Sequence, residues 1–159
     1  MKHWLVLVGI LFIGSAQAAT LGCKVIHVAD GDTVTCLLAN KKKERIRLAD
    51  IDAPESKQAF GNQSKQFLAK MVHGQQIAVK TSGKDQYGRL VGTLYLNGQD
   101  VNYVMVRSGM AWVYKEYSKN PKYYLAQRNA QKAKLGLWRD PKPIYPSEFR
   151  RQAKRMKQH

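Results

Sequence analysis

Five of the eleven Asp and Glu residues crowd into two short segments: Asp30 and Asp32 in Ala29-Asp-Gly-Asp32, and Asp50, Asp52 and Glu55 in Asp50-Ile-Asp-Ala-Pro-Glu55. In a chain with 27 Lys and Arg and a formal net charge of +16, such clustering of scarce like charges needs a cause. Taken singly, each acid can cap a turn, as Asp does beside Gly and Pro. Taken together, they are the oxygen donors that Ca²⁺ and Mg²⁺ require. Arg47 precedes Asp52 by five positions, and Arg89 closes the polar run Ser82-Gly-Lys-Asp-Gln-Tyr-Gly-Arg89. A guanidinium is a natural partner for phosphate, because its planar fork gives two parallel hydrogen bonds and its charge does not titrate away. Either arginine alone could equally form a surface ion pair. The ensemble points to a hard cation and to chemistry on phosphate.

Other chemistries lack their residues. An EF-hand is excluded, since the loop starting at Asp30 has no Gly at its sixth position and no Glu at its twelfth. Two of the four histidines lie at the chain ends, and no helical pair of ligands suggests zinc. No nucleophilic triad, P-loop or dinucleotide fingerprint is present. The basic balance attracts polyanions, so nucleic acid, anionic lipid and acidic polysaccharide are all candidate partners on charge alone.

These residues must be positioned by a single small domain. Residues 1–18 run from Lys2 and His3 through an apolar stretch to Ala16-Gln17-Ala18, the layout of a cleavable export signal. The stretch falls short of the roughly 20 apolar residues that span a bilayer. Cleavage after Ala18 and residence in the periplasm or medium are expected, with no membrane span. What remains suits one domain with a real core and is too short for two; a monomer is expected. Cys23 and Cys36 flank a hairpin and, in an oxidising compartment, could be joined across it or remain two buried thiols.

Residues 23–28 and 33–38 are predicted strands, joined by the turn at Asp30-Gly-Asp32. A third strand, 44–49, ends where Pro54 forbids further pairing. A helix is expected over 62–72, strands over 76–81 and 90–96, and a tight turn at Asn97-Gly98. Short and longer helices follow at 101–107 and 123–135, the latter stopped by Gly136. Five strands and three α-helices imply an α+β domain built on an OB-fold-like barrel, spanning 19–138. Residues 139–159, with three prolines and then Arg150, Arg151, Lys154, Arg155 and Lys157, form a basic tail, mobile or partly helical.

The segments Asp30-Gly-Asp-Thr-Val34, Arg47-Leu-Ala-Asp-Ile-Asp-Ala-Pro-Glu55 and Asp85-Gln-Tyr-Gly-Arg89, in this order, resemble the staphylococcal nuclease (thermonuclease) family. The likeness extends from about Val25 to Trp138 and includes Val101-Asn102 and Leu135-Gly-Leu-Trp138. It implies a five-stranded barrel and a Ca²⁺-dependent phosphodiesterase acting on DNA and RNA. Carried onto this chain, it gives the metal to the carboxylates of Asp32 and Asp52 and to the main-chain carbonyl of Ala53. Asp30 and Glu55 would hold metal-bound waters, Glu55 would activate the attacking one, and Arg47 and Arg89 would hold the phosphate. Ala53 departs from the Thr of well-known members, Gln86 departs from their Lys, and the loop at 56–63 is shorter.

Aromatic residues stand among lysines in the second half of the chain, and base stacking on such faces is worth about 1–3 kcal/mol each. Tyr87 and Tyr114 are the candidates for substrate binding, while Tyr123 or Tyr124 is expected in the core. Two further readings compete with a nuclease. A catalytically silent OB-fold binder would keep barrel and charge without needing the acids and arginines together. A basic envelope-binding protein would use the tail and leave the acids unexplained.

Overall fold

The computed structural model describes residues 19–158, so the expected export signal lies outside it. The chain opens with a long hairpin of β1 (Thr20–Asp30) and β2 (Thr33–Leu37), to which β3 (Lys43–Leu48) adds antiparallel. After the two-residue β4 (Ile51–Asp52) comes α1 (Gly61–Val72), then β5 (Gln76–Lys84), β6 (Leu90–Leu96) and the short β7 (Gln99–Asp100). Strand order is β3-β2-β1-β5-β6-β7. A parallel pairing of β3 with β6, register Ile46↔Leu90 to Leu48↔Gly92, closes five strands into the expected barrel.

Inward residues of the strands, Val25, Val34, Ile46, Leu48, Val79 and Leu94, are fully buried with Leu68 and Val72 of α1. They alternate along their strands as the pleat demands. Asp100 caps α2 (Val101–Arg107) by accepting the Tyr103 N–H at 2.8 Å, and it also accepts from the Tyr123 hydroxyl. That bond and the burial of Tyr123 make it the core tyrosine.

Several expectations need correction. The longer helix, α3, runs Pro121–Lys132 rather than 123–135, because Asn120 accepts the Lys122 N–H and Pro121 fits the first helical position. Gly136 does not stop it. Gly136 packs backbone to backbone against Gly109, where a Cβ on either would strike the other's segment. This contact lets the 3-10 turn Gly136–Arg139 fold Leu137 and Trp138 onto Ala130 and Trp112. Among the described residues there are four α-helices, not three: α4 (Pro146–Met156) lies within the basic tail. Its apolar residues, Phe149, Ala153 and Met156, fall at i, i+4 and i+7, a narrow stripe on an otherwise polar, cationic helix. No helix among the described residues is long and apolar enough to cross a membrane.

Cys23 and Cys36 are joined as a disulfide, with Cα atoms 5.6 Å apart. It staples β1 to β2 below the turn that carries Asp30 and Asp32.

Candidate active site

The turn between β1 and β2 is organised by its own acids. Asp30 Oδ1 accepts the Asp32 N–H at 3.0 Å, which aims the Asp32 side chain away from solvent. Asp32 Oδ1 accepts from the Thr33 hydroxyl, and Oδ2 accepts the Ala53 N–H at 2.7 Å. The same turn is tied to β3, since the Leu48 N–H donates to the Asp32 carbonyl at 2.8 Å. Gly31 permits the approach, because a Cβ there would run into the Ser64 side chain on α1 and come within 2.7 Å of the Ala53 Cβ.

The second acidic segment leaves β3 through Asp50, whose φ is +64°. β4 then pairs with β8 (Trp112–Val113), Asp52 facing Trp112 in register. Asp52 is 1% exposed and Asp32 7%. One nitrogen of Arg47, Nη2, lies 3.2 Å from Asp52 Oδ1 and 3.3 Å from Asp32 Oδ2, bridging the two carboxylates. Its other terminal nitrogen donates to the Leu48 carbonyl at 2.6 Å and fixes the fork. Burial pushes the Asp52 carboxyl up to about 6, with Arg150 pulling against it and Asp32 adding to it. Asp30 is pushed up to about 6 by burial and then by Asp32.

The donors fit a hard divalent cation. All are oxygens, both aspartates are desolvated, and with Glu55 the carboxylates exceed the two arginines that face them, Arg47 and Arg150. Among the described residues, no three Asp, Glu, His or Cys side chains converge by themselves on one point. A cation here would therefore draw on main-chain carbonyl oxygen and water beside Asp32 and Asp52.

Glu55 follows three residues after Asp52, its N–H bonded to the Gln58 side chain and its carboxylate partly open to solvent. Tyr114 sits at the rim, its N–H bonded to the Asp50 carbonyl and its ring 5.6 Å from the Arg47 guanidinium. Burial and the nearby Asp52 raise its hydroxyl above the usual tyrosine value. Arg89 is not drawn into this network. It enters β6 just ahead of Leu90, which pairs with Ile46 on the strand carrying Arg47. Its Nε donates to Asp85 Oδ2 at 2.7 Å, and its guanidinium lies 5.5 Å from the exposed Tyr87 ring. Although desolvation raises Asp85, hydrogen bonds from Arg89 hold it below the usual carboxylate value.

One residue of the site was not singled out from sequence. Arg150, on α4, spans to Asp52 with Nη2–Oδ2 at 3.2 Å and Nη1–Oδ1 at 3.3 Å, and to Glu55 Oε1 at 2.7 Å. The helix-start pattern Tyr145-Pro-Ser-Glu148, with Pro146 at the first position and an acid in the first turn, and the spacing of Phe149, Ala153 and Met156 mark a helix there, but neither singles out Arg150.

The sequence is similar to known proteins. A family profile described as "Staphylococcal nuclease homologue" matches residues 45–140. An "Uncharacterized endonuclease" of Haemophilus influenzae is 48% identical over 132 residues, covering 83% of this chain and 74% of that protein. A "Micrococcal nuclease" of Shigella flexneri is 38% identical over 156 residues, covering 91% and 89%. An "Uncharacterized endonuclease" of Escherichia coli is 38% identical over 147 residues, covering 92% and 95%.

Proposed function

Because the chain belongs to the staphylococcal nuclease family, we propose that it is a Ca²⁺-dependent endonuclease hydrolysing phosphodiester bonds of DNA and RNA with little sequence preference. The observation that carries this reading is the pair of buried carboxylates, Asp32 and Asp52, bridged by one nitrogen of Arg47 with Glu55 beside them. A structural ion pair would need one acid per guanidinium; here three carboxylates, Asp32, Asp52 and Glu55, share two, Arg47 and Arg150.

Asp32, Asp52 and the Ala53 carbonyl would hold the cation. When bound, it supplies a Lewis acid for the phosphoryl oxygen and lowers the pKa of water. Glu55 takes the proton of the attacking water as its oxygen bonds to phosphorus and the ester P–O bond breaks, the departing oxygen being protonated from solvent. Arg47 stabilises the charge that grows on the equatorial oxygens. Arg89, on the neighbouring strand, holds the phosphate once it exchanges Asp85 for substrate. Tyr114 beside Arg47 and Tyr87 beside Arg89 offer ring faces to bases. The readout is backbone and stacking, which every sequence supplies, hence the weak preference.

Export is proposed from the leader pattern of residues 1–18 and is supported by the Cys23–Cys36 disulfide, a bond that persists in oxidising compartments.

The test is cleavage of heat-denatured DNA and of RNA by the mature chain, with Ca²⁺ and with chelator. Glu55→Gln is expected to lower kcat by about 10²- to 10⁴-fold with substrate binding retained. Cleavage indifferent to the chelator, or equal losses of binding and turnover in Glu55→Gln, would sink the mechanism. Retention of DNA with no product at any Ca²⁺ concentration would favour a silent binder.

A further inference from the structure

The C-terminal helix is attached to the domain at two places of different character. Its base is a packed anchor. Tyr145 is 7% exposed, its hydroxyl donates to the Val113 carbonyl and accepts the Lys115 N–H, both at 3.2 Å, and its ring meets Trp112 edge-on at 5.2 Å. Just before it, the Gln58 side chain donates to the Ile144 carbonyl. Past this anchor α4 buries only Pro146, and beyond Phe149 it keeps little more than a half-buried Ala153 against the domain. The second attachment is Arg150, with its three bonds to Asp52 and Glu55.

Those bonds occupy the oxygens that the proposed chemistry needs. Both Asp52 oxygens and Glu55 Oε1 face the Arg150 guanidinium, and Asp52 Oδ1 also faces Arg47. A divalent cation on Asp52 would stand beside a fixed positive charge directed at the same carboxylate, and like charges at that range repel. Arg150, which faces both Asp52 oxygens and Glu55 together, therefore competes with the ion for them.

We propose that Arg150 is a built-in competitor for the cation: its guanidinium latches α4 over Asp52 and Glu55, and a divalent ion enters as the latch leaves. This rests on the reading that Asp52 carries the metal. Apparent affinity for the ion is then reduced by the fraction of molecules with the latch closed. The released helix carries Arg151, Lys154, Arg155 and Lys157 alongside Arg150, so metal entry frees a cationic arm.

The test uses the full mature chain as wild type, Arg150→Gln and Arg150→Lys. Ca²⁺ binding is measured by isothermal titration calorimetry, and amide hydrogen exchange of residues 147–156 is followed with and without Ca²⁺. Arg150→Gln is expected to bind Ca²⁺ about tenfold more tightly, a preference of the size set by charge-assisted bonds at a partly exposed site. Arg150→Lys, which keeps the charge but not the fork, is expected between the two. Ca²⁺ is expected to accelerate exchange in wild-type α4, whereas in Arg150→Gln exchange is fast from the start. Unchanged or weaker Ca²⁺ affinity in Arg150→Gln, or α4 exchange that ignores Ca²⁺, overturns the latch alone. Absence of Ca²⁺ binding in all three chains overturns the metal reading and the latch together.

Discussion

Replacing Asn102 by Ala tests the seam that holds the active-site end of the barrel together. β3 pairs with β6 only as far as Leu48↔Gly92. Beyond that point the fully buried Asn102 side chain continues the ladder: its Oδ1 accepts the Leu94 N–H at 3.2 Å, and its Nδ2 donates to the carbonyls of Ala49 at 3.0 Å and Gly92 at 3.2 Å. Gly92 would remain satisfied without it, since its carbonyl also accepts the Ala49 N–H. The Leu94 N–H and the Ala49 carbonyl would each lose a partner, at about 1–3 kcal/mol per buried group. With the small void left by the amide, the expected loss is about 3–5 kcal/mol out of a total of about 5–15 for a domain. Ala49 leads directly into the acidic segment, so turnover should fall as well. Urea unfolding followed by tryptophan fluorescence measures the first effect and cleavage of single-stranded DNA the second. A loss below about 1 kcal/mol would show that Asn102 is not holding the seam.

Other outcomes follow from the same coordinates. Gly31→Ala should destabilise by about 1–3 kcal/mol, because its Cβ overpacks against Ser64 and Ala53. It should also weaken Ca²⁺ binding by displacing Asp32. The added Ser64→Gly change should restore part of the binding in a calorimetric titration, and no recovery would place the cause elsewhere. Removing the disulfide by Cys23→Ala with Cys36→Ala should cost about 3 kcal/mol by loop-closure entropy for a pair 13 residues apart, read as a lower urea midpoint equal to that of the reduced wild type. In chelator, stability should decline as pH rises from about 4 to 7. Asp30 and Asp52, with carboxyls at about 6 in the fold against 3.8 ordinarily, bind more protons folded than unfolded across that window. The upper bound is on the order of 3 kcal/mol per carboxyl. Asp30→Asn should flatten the slope, and a slope of opposite sign would contradict the burial of these acids.

Sequence reading succeeded where local chemistry decides structure. The strands around Asp30-Gly-Asp32, the Asn97-Gly98 turn and the 101–107 helix are written in β-branched runs, turn residues and spacing. Asp32, Arg47 and Asp52 could be grouped by type and order, and Ala53 by the family resemblance; the four meet in one network. Arg89 could be named but not placed, since its loop partner Asp85 competes for its fork and nothing local reveals that. Arg150 was lost in a run of like charges. What orders it is a partner 98 positions away in the chain and an anchor, Tyr145, whose burial depends on Trp112 and Val113 being folded first. A charge that neutralises a distant acid looks, in sequence, the same as one that faces water.

The parallel join of β3 to β6 also sets when activity can begin. Asp32 lies in the turn that joins β1 to β2, Asp52 on β4 just past β3, and Arg89 immediately before β6, the strand that closes the barrel. Contacts between stretches so far apart in sequence form late, because loop closure must precede them. A chain halted partway through folding holds the acids and Arg47 on one piece and Arg89 on another, not yet joined. The closing of the barrel thus also completes the site, so that the fold and the arrangement of Arg89 relative to the acids arrive together.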